Sequence, residues 1–290
     1  MTDGGRRPRP GVGVLVPVPD REAGERRPAA LVRQREGGGD TALVPASLDG
    51  RVRSAPFVPV GPFDPRLVFT DQDARRASAF RTLRQRLLDR GDLRVILCTS
   101  ANSGEGTTTL AANLALSFSE LGRFRVLLVE ANFRRPAIAN LFGFDPPTSF
   151  RMQIVRHRVS PEERWAVVEI GPPSLFILAN EKNGCPRCAG PLPEGARFCG
   201  VCGAEVGADI PPLLDGVAFN AALANLREIF DYIVIDAPSV LLSGDVNLIQ
   251  DSADAIVLAV RRGHSDQRSL RRAVEQIAPA PLAGVVLFEA

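Results

Sequence analysis

Residues 99–115, TSANSGEGTTTLAANLA, decide how this 290-residue chain is read. An apolar run precedes them: RVILCTS, 94–100, reads as a buried strand. They pass into a helical pattern, TTTLAANLALSFSELG, closed by Gly122. A glycine-rich turn between a buried strand and a helix lets backbone N–H groups close around phosphate oxygens. The helix N-terminus adds partial positive charge there. The full pattern is G-x-x-x-x-G-K-[ST], in which the lysine neutralises β- and γ-phosphate charge and the hydroxyl binds Mg2+. Here the register runs from Ala101 to Gly106, Thr107 and Thr108, so a threonine stands where the lysine belongs. Gly104, Glu105, Gly106, Thr107, Thr108 and Thr109 are the candidate phosphate-binding residues. The same glycines also have a purely conformational reading, since such a turn needs them for its backbone.

Around the loop, strand and helix signals alternate. DQDARRASAFRTLRQRLLDRG sets Phe80, Leu83, Leu87 and Leu88 on one helical face, with Asp71 as N-cap and Gly91 as the stop. RVLLVEAN (125–132) is a second strand and PAIANLFG a short helix. Two weaker helical patches follow, the second capped at Ser160 with Pro161 and Glu162 in its first turn. SLFILAN (174–180) is a strand, FNAALANLREIF a helix and DYIVIDAP a buried strand. Helix 243–250, strand AIVLAV, helix 266–277 and strand GVVLF complete the pattern. Continuous apolar strands alternating with helices imply an α/β fold, a parallel doubly wound sheet covered on both faces.

Lysine plus arginine total 35 against 33 acidic residues, a net charge of +2 that gives no electrostatic case for a nucleic-acid partner. Lys182 is the one lysine, and a GC-rich coding sequence accounts for the arginine bias. No apolar run approaches the roughly 18–20 residues that span a bilayer, and the N-terminus lacks the apolar core of a secretory signal. A cytoplasmic protein is expected, reaching the inner membrane only through a partner. Residues 1–66 are rich in Pro, Gly and Arg, with apolar residues too scattered for a core. They read as a disordered or loosely docked arm, with a basic lipid-binding tail as the competing reading.

Four motifs in order make the rest specific. SGEGTTTLAANLA, LLVEANFRRP, FDYIVIDAPS and SAFRTLRQRL match PGEGKSTTAANLA, LLIDADLRRP, YDYVIIDTPP and EAYRTLRTNL. From about residue 71 to the end, the chain resembles the cytoplasmic kinase domain of bacterial tyrosine kinases. These form a MinD/ParA-like branch of P-loop proteins that controls capsule and exopolysaccharide export. The resemblance implies an ATP/Mg2+ site in which Thr108 and Asp236 hold Mg2+, the latter through water. If the protein is active, it assigns catalytic roles to Asp236, Glu130 and Arg134. It also implies subunit packing through the helix bearing Arg81 and Arg84, and a membrane-bound polysaccharide co-polymerase or a related kinase as partner.

The departures cluster on chemistry. Thr107 replaces the loop lysine, Glu130 and Asn132 stand where relatives have two aspartates, and Ser78 replaces a packing glutamate. Phe288 takes the place of an asparagine that reads adenine. The one tyrosine, Tyr232, falls in a predicted buried strand, so the C-terminal tyrosine cluster of such kinases is absent. Simpler readings exist for Asp236, as a cap of the next turn, and for Phe288, as core. Phosphoryl transfer depends chiefly on stabilising charge, so these changes together predict weak or no turnover. Arg134 or Arg135 offers partial compensation.

CPRCAGPLPEGARFCGVCG, inside 183–206, carries Cys185, Cys188, Cys199 and Cys202 at C-x2-C-x10-C-x2-C spacing. Two such knuckles aim four thiolates at one tetrahedral centre, which suits structural Zn2+ in a small zinc ribbon. Disulfides and redox pairs are the competing readings. Four protein ligands leave no open position for catalysis. The insert follows SLFILAN at the sheet edge where ligands bind in such folds, so it is expected beside the nucleotide site as a protein-docking surface. Lys182 at its base is a candidate charge for the pocket, and Cys98 reads as core.

The domain scheme is therefore an arm (1–66) and a kinase-like P-loop domain (67–290) interrupted by the ribbon. The favoured expectation is a degenerate kinase-like scaffold or regulator in exopolysaccharide or capsule biosynthesis. An active ATP-dependent tyrosine kinase or ATPase is the first alternative. The second is a MinD/ParA-type positioning ATPase, whose signature lysine would fall at Asn102.

Overall fold

The computed structural model describes residues 50–69, 74–171, 175–181, 185, 198–205 and 216–289. Residues 1–49 of the expected arm, the Asp71 cap, Lys182 and Cys188 lie outside the described residues. In chain order the elements begin with β1 (Val52–Pro56), α1 (Ala74–Leu88), β2 (Val95–Ser100), α2 (Thr107–Ser119) and β3 (Val126–Glu130). Next come α3 (Ile138–Phe142), α4 (Phe150–Val159), β4 (Trp165–Ile170), β5 (Leu175–Leu178) and α5 (Gly216–Ile229). The last are β6 (Tyr232–Asp236), α6 (Asp245–Ile249), β7 (Ala255–Arg261), α7 (Gln267–Ile277) and β8 (Leu282–Phe288).

The strands form one sheet in the order β1-β4-β5-β3-β6-β2-β7-β8. Every pairing is parallel except that of β4 with β5. Central strands are apolar along most of their length because both faces are covered, with polar residues at their carboxyl ends. Ile96, Leu128 and Val234 pack with Phe80, Leu83 and Leu87 of α1 and Leu110, Leu114 and Phe118 of α2. On the other face Leu97, Leu127, Ile233 and Ile235 meet Phe150 of α4, Phe219 and Leu226 of α5, and Ile277 of α7. Each fully buried side chain of this size contributes roughly 1.5–3 kcal/mol. The expected doubly wound α/β architecture is present. No helix among the described residues is long and apolar enough to cross a membrane.

Two segments differ from the sequence reading. Residues 52–56, within the expected arm, form an edge strand registered on β4 from Val52↔Trp165 to Pro56↔Glu169. Only Val52 of the five is buried, so their composition resembles an arm while backbone pairing holds them in the sheet. An edge position also tolerates Pro56. The patch after Ser160, expected as a helix with Pro161 and Glu162 in its first turn, instead makes one turn and then β4. The Ser160 carbonyl accepts from Glu163 N–H at 3.0 Å, and no helix follows. Buried Trp165, stacked on His157 with centroids 3.6 Å apart, anchors β4 between β1 and β5. Its β-branched valines then suit a paired strand.

Arg81 and Arg84, the residues expected to pack one subunit on another, are engaged within the chain. Arg81 holds the Glu120 carboxylate through two guanidinium nitrogens, and Arg84 reaches the Ser117 carbonyl and Glu120. They fasten α1 to the end of α2.

Candidate functional site

The candidate loop joins β2 to α2 at the carboxyl edge of the sheet, with β2 between β6 and β7. Connections run to opposite sides there, which is where such sheets bind ligands. Gly104 and Gly106 have φ of +84° and +101°, a region that disfavours side chains. A Cβ on Gly106 would also lie 3.1 Å from the Phe288 ring, and one on Gly104 3.5 Å from His264 Nε2. Both glycines therefore meet a conformational demand, and Gly106 a steric one as well. Gly106 begins α2 with no side-chain cap, leaving the helix N-terminus to the pocket.

Short polar links hold the loop. Glu105 is fully buried, and its carboxylate accepts from Asn102 N–H at 3.0 Å. Thr107 donates its hydroxyl to Ser100 Oγ at 2.8 Å, and Ser100 Oγ donates to the Asn102 carbonyl at 2.8 Å. Thr107 thus fastens the base of the loop, where a lysine would reach outward. The residues Gly104, Glu105, Gly106, Thr107, Thr108 and Thr109 all line one cavity of about 400 Å3. Remote segments complete it with Arg66, Arg76, Asn132, Arg135, Arg261 and Phe288.

None of the three expected catalytic residues lines the cavity, although Asp236 and Glu130 are register partners on β6 and β3. Asp236 ends β6 with 1 % exposure, and neither carboxylate oxygen has a hydrogen bond of ordinary geometry. Burial pushes its pKa well above the usual carboxylate range, the Glu130 charge adds to this, and the nearby Thr108 hydroxyl opposes it. An orphaned buried carboxylate beside the first turn of α2 fits an Mg2+ site with Thr108, directly or through water. Glu130 does not line the cavity. Its Oε1 accepts from Ala137 N–H at 2.5 Å and Ile138 N–H at 2.8 Å, and its Oε2 from Asn180 N–H at 2.7 Å. Complete burial pushes it up to about 7 against those three donors. The Glu130 acceptors thus fix the start of α3 and the end of β5. Arg134 also leaves the cavity, its Nε lying 3.9 Å from Asp245, while the adjacent Arg135 enters. Cys98 is buried in the core, and its thiol pKa is raised by burial.

Arg135 and Asn132 lie next to motif residues and were legible candidates. Arg66, Arg76 and Arg261 carry no local signal, because only folding brings their segments to the loop. Arg66 arrives already bound to Asp64, at 2.9 and 2.8 Å.

The cysteine cluster forms a second site. The Sγ atoms of Cys185, Cys199 and Cys202 lie within 4.8 Å of one another, with Cys185 and Cys202 3.6 Å apart and not joined as a disulfide. Thiolates about 2.3 Å from one zinc would stand roughly 3.8 Å apart, so this donor set fits a soft divalent metal. Val201 N–H donates to Cys199 Sγ at 3.4 Å, Gly203 turns with φ +68°, and Phe198 bridges to Glu205, as a knuckle requires. Arg151 joins the Cys185 carbonyl at 3.1 Å and the Asn180 side chain at 3.0 Å. Asn180 binds Glu130, and Glu130 holds Ala137, which lines the cavity. The two sites share one edge of the sheet.

No protein-family model matches the chain. The tyrosine-protein kinase YwqD of Bacillus subtilis is 24% identical over 216 residues, 73% of this chain and 79% of that protein. The succinoglycan biosynthesis transport protein ExoP of Rhizobium meliloti is 25% identical over 223 residues, 74% of this chain and 25% of ExoP. The crystal structure of the VpsO kinase domain superposes with a TM-score of 0.56 at 26% identity, covering 76% of this chain and 98% of that domain. The chain is a homologue of the bacterial tyrosine-protein kinases and is built on the P-loop α/β fold of their kinase domains.

Proposed function

We propose that the chain is a kinase-like scaffold or regulator of exopolysaccharide or capsule synthesis that binds Mg-nucleotide and turns it over weakly or not at all. One observation carries this reading: Thr107 and Glu130, which replace the loop lysine and an aspartate, are both consumed by internal hydrogen bonds. The cavity keeps the loop backbone and Thr108, with Asp236 buried next to Thr108, a set that supports binding of a metal-bound phosphate. Transfer needs charge placed on the moving phosphoryl group, and two suppliers of it are withdrawn.

The polysaccharide setting is supported by ExoP, a succinoglycan biosynthesis transport protein. It favours a membrane-bound polysaccharide co-polymerase or a related kinase as partner. The cysteine insert, holding structural Zn2+, serves as an added docking surface, on which Phe198 and Val201 are 59% and 67% exposed. The test is Mg-ATP binding by calorimetry beside phosphate release, on this protein and on Thr107→Lys. Binding with turnover at background is expected, and turnover rising at least tenfold in Thr107→Lys. Turnover well above background in the unmodified protein would make it an active enzyme and refute the scaffold reading.

A further inference from the structure

We propose that Arg135 and Arg261 form a two-sided clamp for a di- or triphosphate group, supplying from outside the loop the charge that the lysine would carry. This rests on the nucleotide-binding reading above. Arg135 comes from the loop between β3 and α3, and its guanidinium donates to Ser103 Oγ at 3.1 Å. Arg261 ends β7, and its guanidinium reaches the Gly104 carbonyl at 3.4 Å. The two cations thus meet adjacent residues of the loop from separate elements, and both line the cavity. Arg66 also lines it but is neutralised by Asp64. Among the described residues, Arg135 and Arg261 have no carboxylate partner. Their hydrogen bonds go to a hydroxyl and a carbonyl, which orient the guanidiniums and leave their charge unmatched. Of the acids in the cavity wall, Glu105 is turned to Asn102 inside the loop and Glu289 is exposed.

The ligand that matches is a polyanion in planar, bidentate reach of guanidinium groups, with Mg2+ at Thr108 and Asp236 taking the remaining charge. Thr107 fits this division, because its hydroxyl stabilises the loop while charge comes from the flanks.

Binding is measured by calorimetry with Mg-ATP and with inorganic tripolyphosphate in Mg2+. The proteins are the unmodified chain, Arg135→Gln, Arg261→Gln, the double variant, and the double variant carrying Thr107→Lys. Charge-assisted hydrogen bonds of this kind make each single substitution weaken both ligands by roughly tenfold or more, and the double by about a hundredfold. Adding Thr107→Lys recovers at least tenfold, and the salt dependence of binding flattens in the double variant. Both arginines are surface residues, so the melting temperature stays within about 2 °C. A double variant that binds tripolyphosphate within threefold of the unmodified protein overturns the clamp, as does a loss confined to Mg-ATP. Failure of the unmodified protein to bind either ligand removes the nucleotide reading and the clamp together.

Discussion

Replacing Glu130 by alanine separates a structural from a catalytic role. Its two carboxylate oxygens satisfy three backbone donors, Ala137, Ile138 and Asn180. Removing them strands N–H groups inside the fold at about 1–1.5 kcal/mol each, after partial rescue by water. The cost depends on pH. Folding raises the pKa of Glu130 from 4.5 to about 7, so between those values the folded state holds more protons than the unfolded chain. Its contribution is fully present below pH 4.5 and is lost as pH rises through about 7, by roughly 3 kcal/mol. Glu130→Ala should therefore destabilise by about 4 kcal/mol at pH 5 and by only about 1 kcal/mol at pH 8. In a domain of this size that is a fall of roughly 10 °C at pH 5 and a few degrees at pH 8. Thermal unfolding followed by circular dichroism at the two pH values reads this directly. Burial also raises the pKa of the neighbouring Asp236, and the Glu130 charge adds to that shift, so the variant loses part of the Asp236 pH slope as well. Equal destabilisation at both pH values would refute the assignment. So would an unchanged melting temperature accompanied by loss of nucleotide turnover, which would return Glu130 to a catalytic role.

Gly106→Ala should cost about 2–3 kcal/mol and abolish phosphate binding, since it adds a contact 3.1 Å from Phe288 to the backbone strain of φ +101°. Gly91→Ala, at φ +92° with nothing within 4 Å, should cost only the backbone part, about 1–2 kcal/mol; equal losses in chemical denaturation would show that Phe288 yields freely. Metal analysis under reducing conditions should find one zinc per chain, and Cys185→Ser or chelation should speed proteolysis of the insert by about tenfold or more. The global melting temperature should then fall by less than about 5 °C, because the sheet buries its core without the insert. Purified protein without zinc, or with unchanged proteolysis after chelation, would remove the ribbon.

Central strands and the phosphate loop were legible because their signals are local. An unbroken apolar run such as VILC (95–98) is expected only when both faces are covered, and the glycines of the following loop sit where the turn needs positive φ. Residues 52–56 were not legible, since four of the five are exposed or half-exposed and are held by pairing with β4. In the patch after Ser160 the helix cap outweighed a weak strand pattern, and the neighbours that decided the matter come from β1 and β5. Glu130 shows the same limit at the site. Its position in a motif identified it, but the donors that consume it lie 7, 8 and 50 residues away.

The sequence by itself determined the sheet's class, the identity of the loop, the missing lysine and the cysteine spacing, each a property of neighbours along the chain. Only the tertiary structure decided where charge resides. Thr107 and Glu130 are turned inward to hydrogen bonds, Asp236 is buried without one, and Arg135 and Arg261 flank the loop. Whether a charged group is spent or available depends on partners brought together by packing, and no local pattern records them.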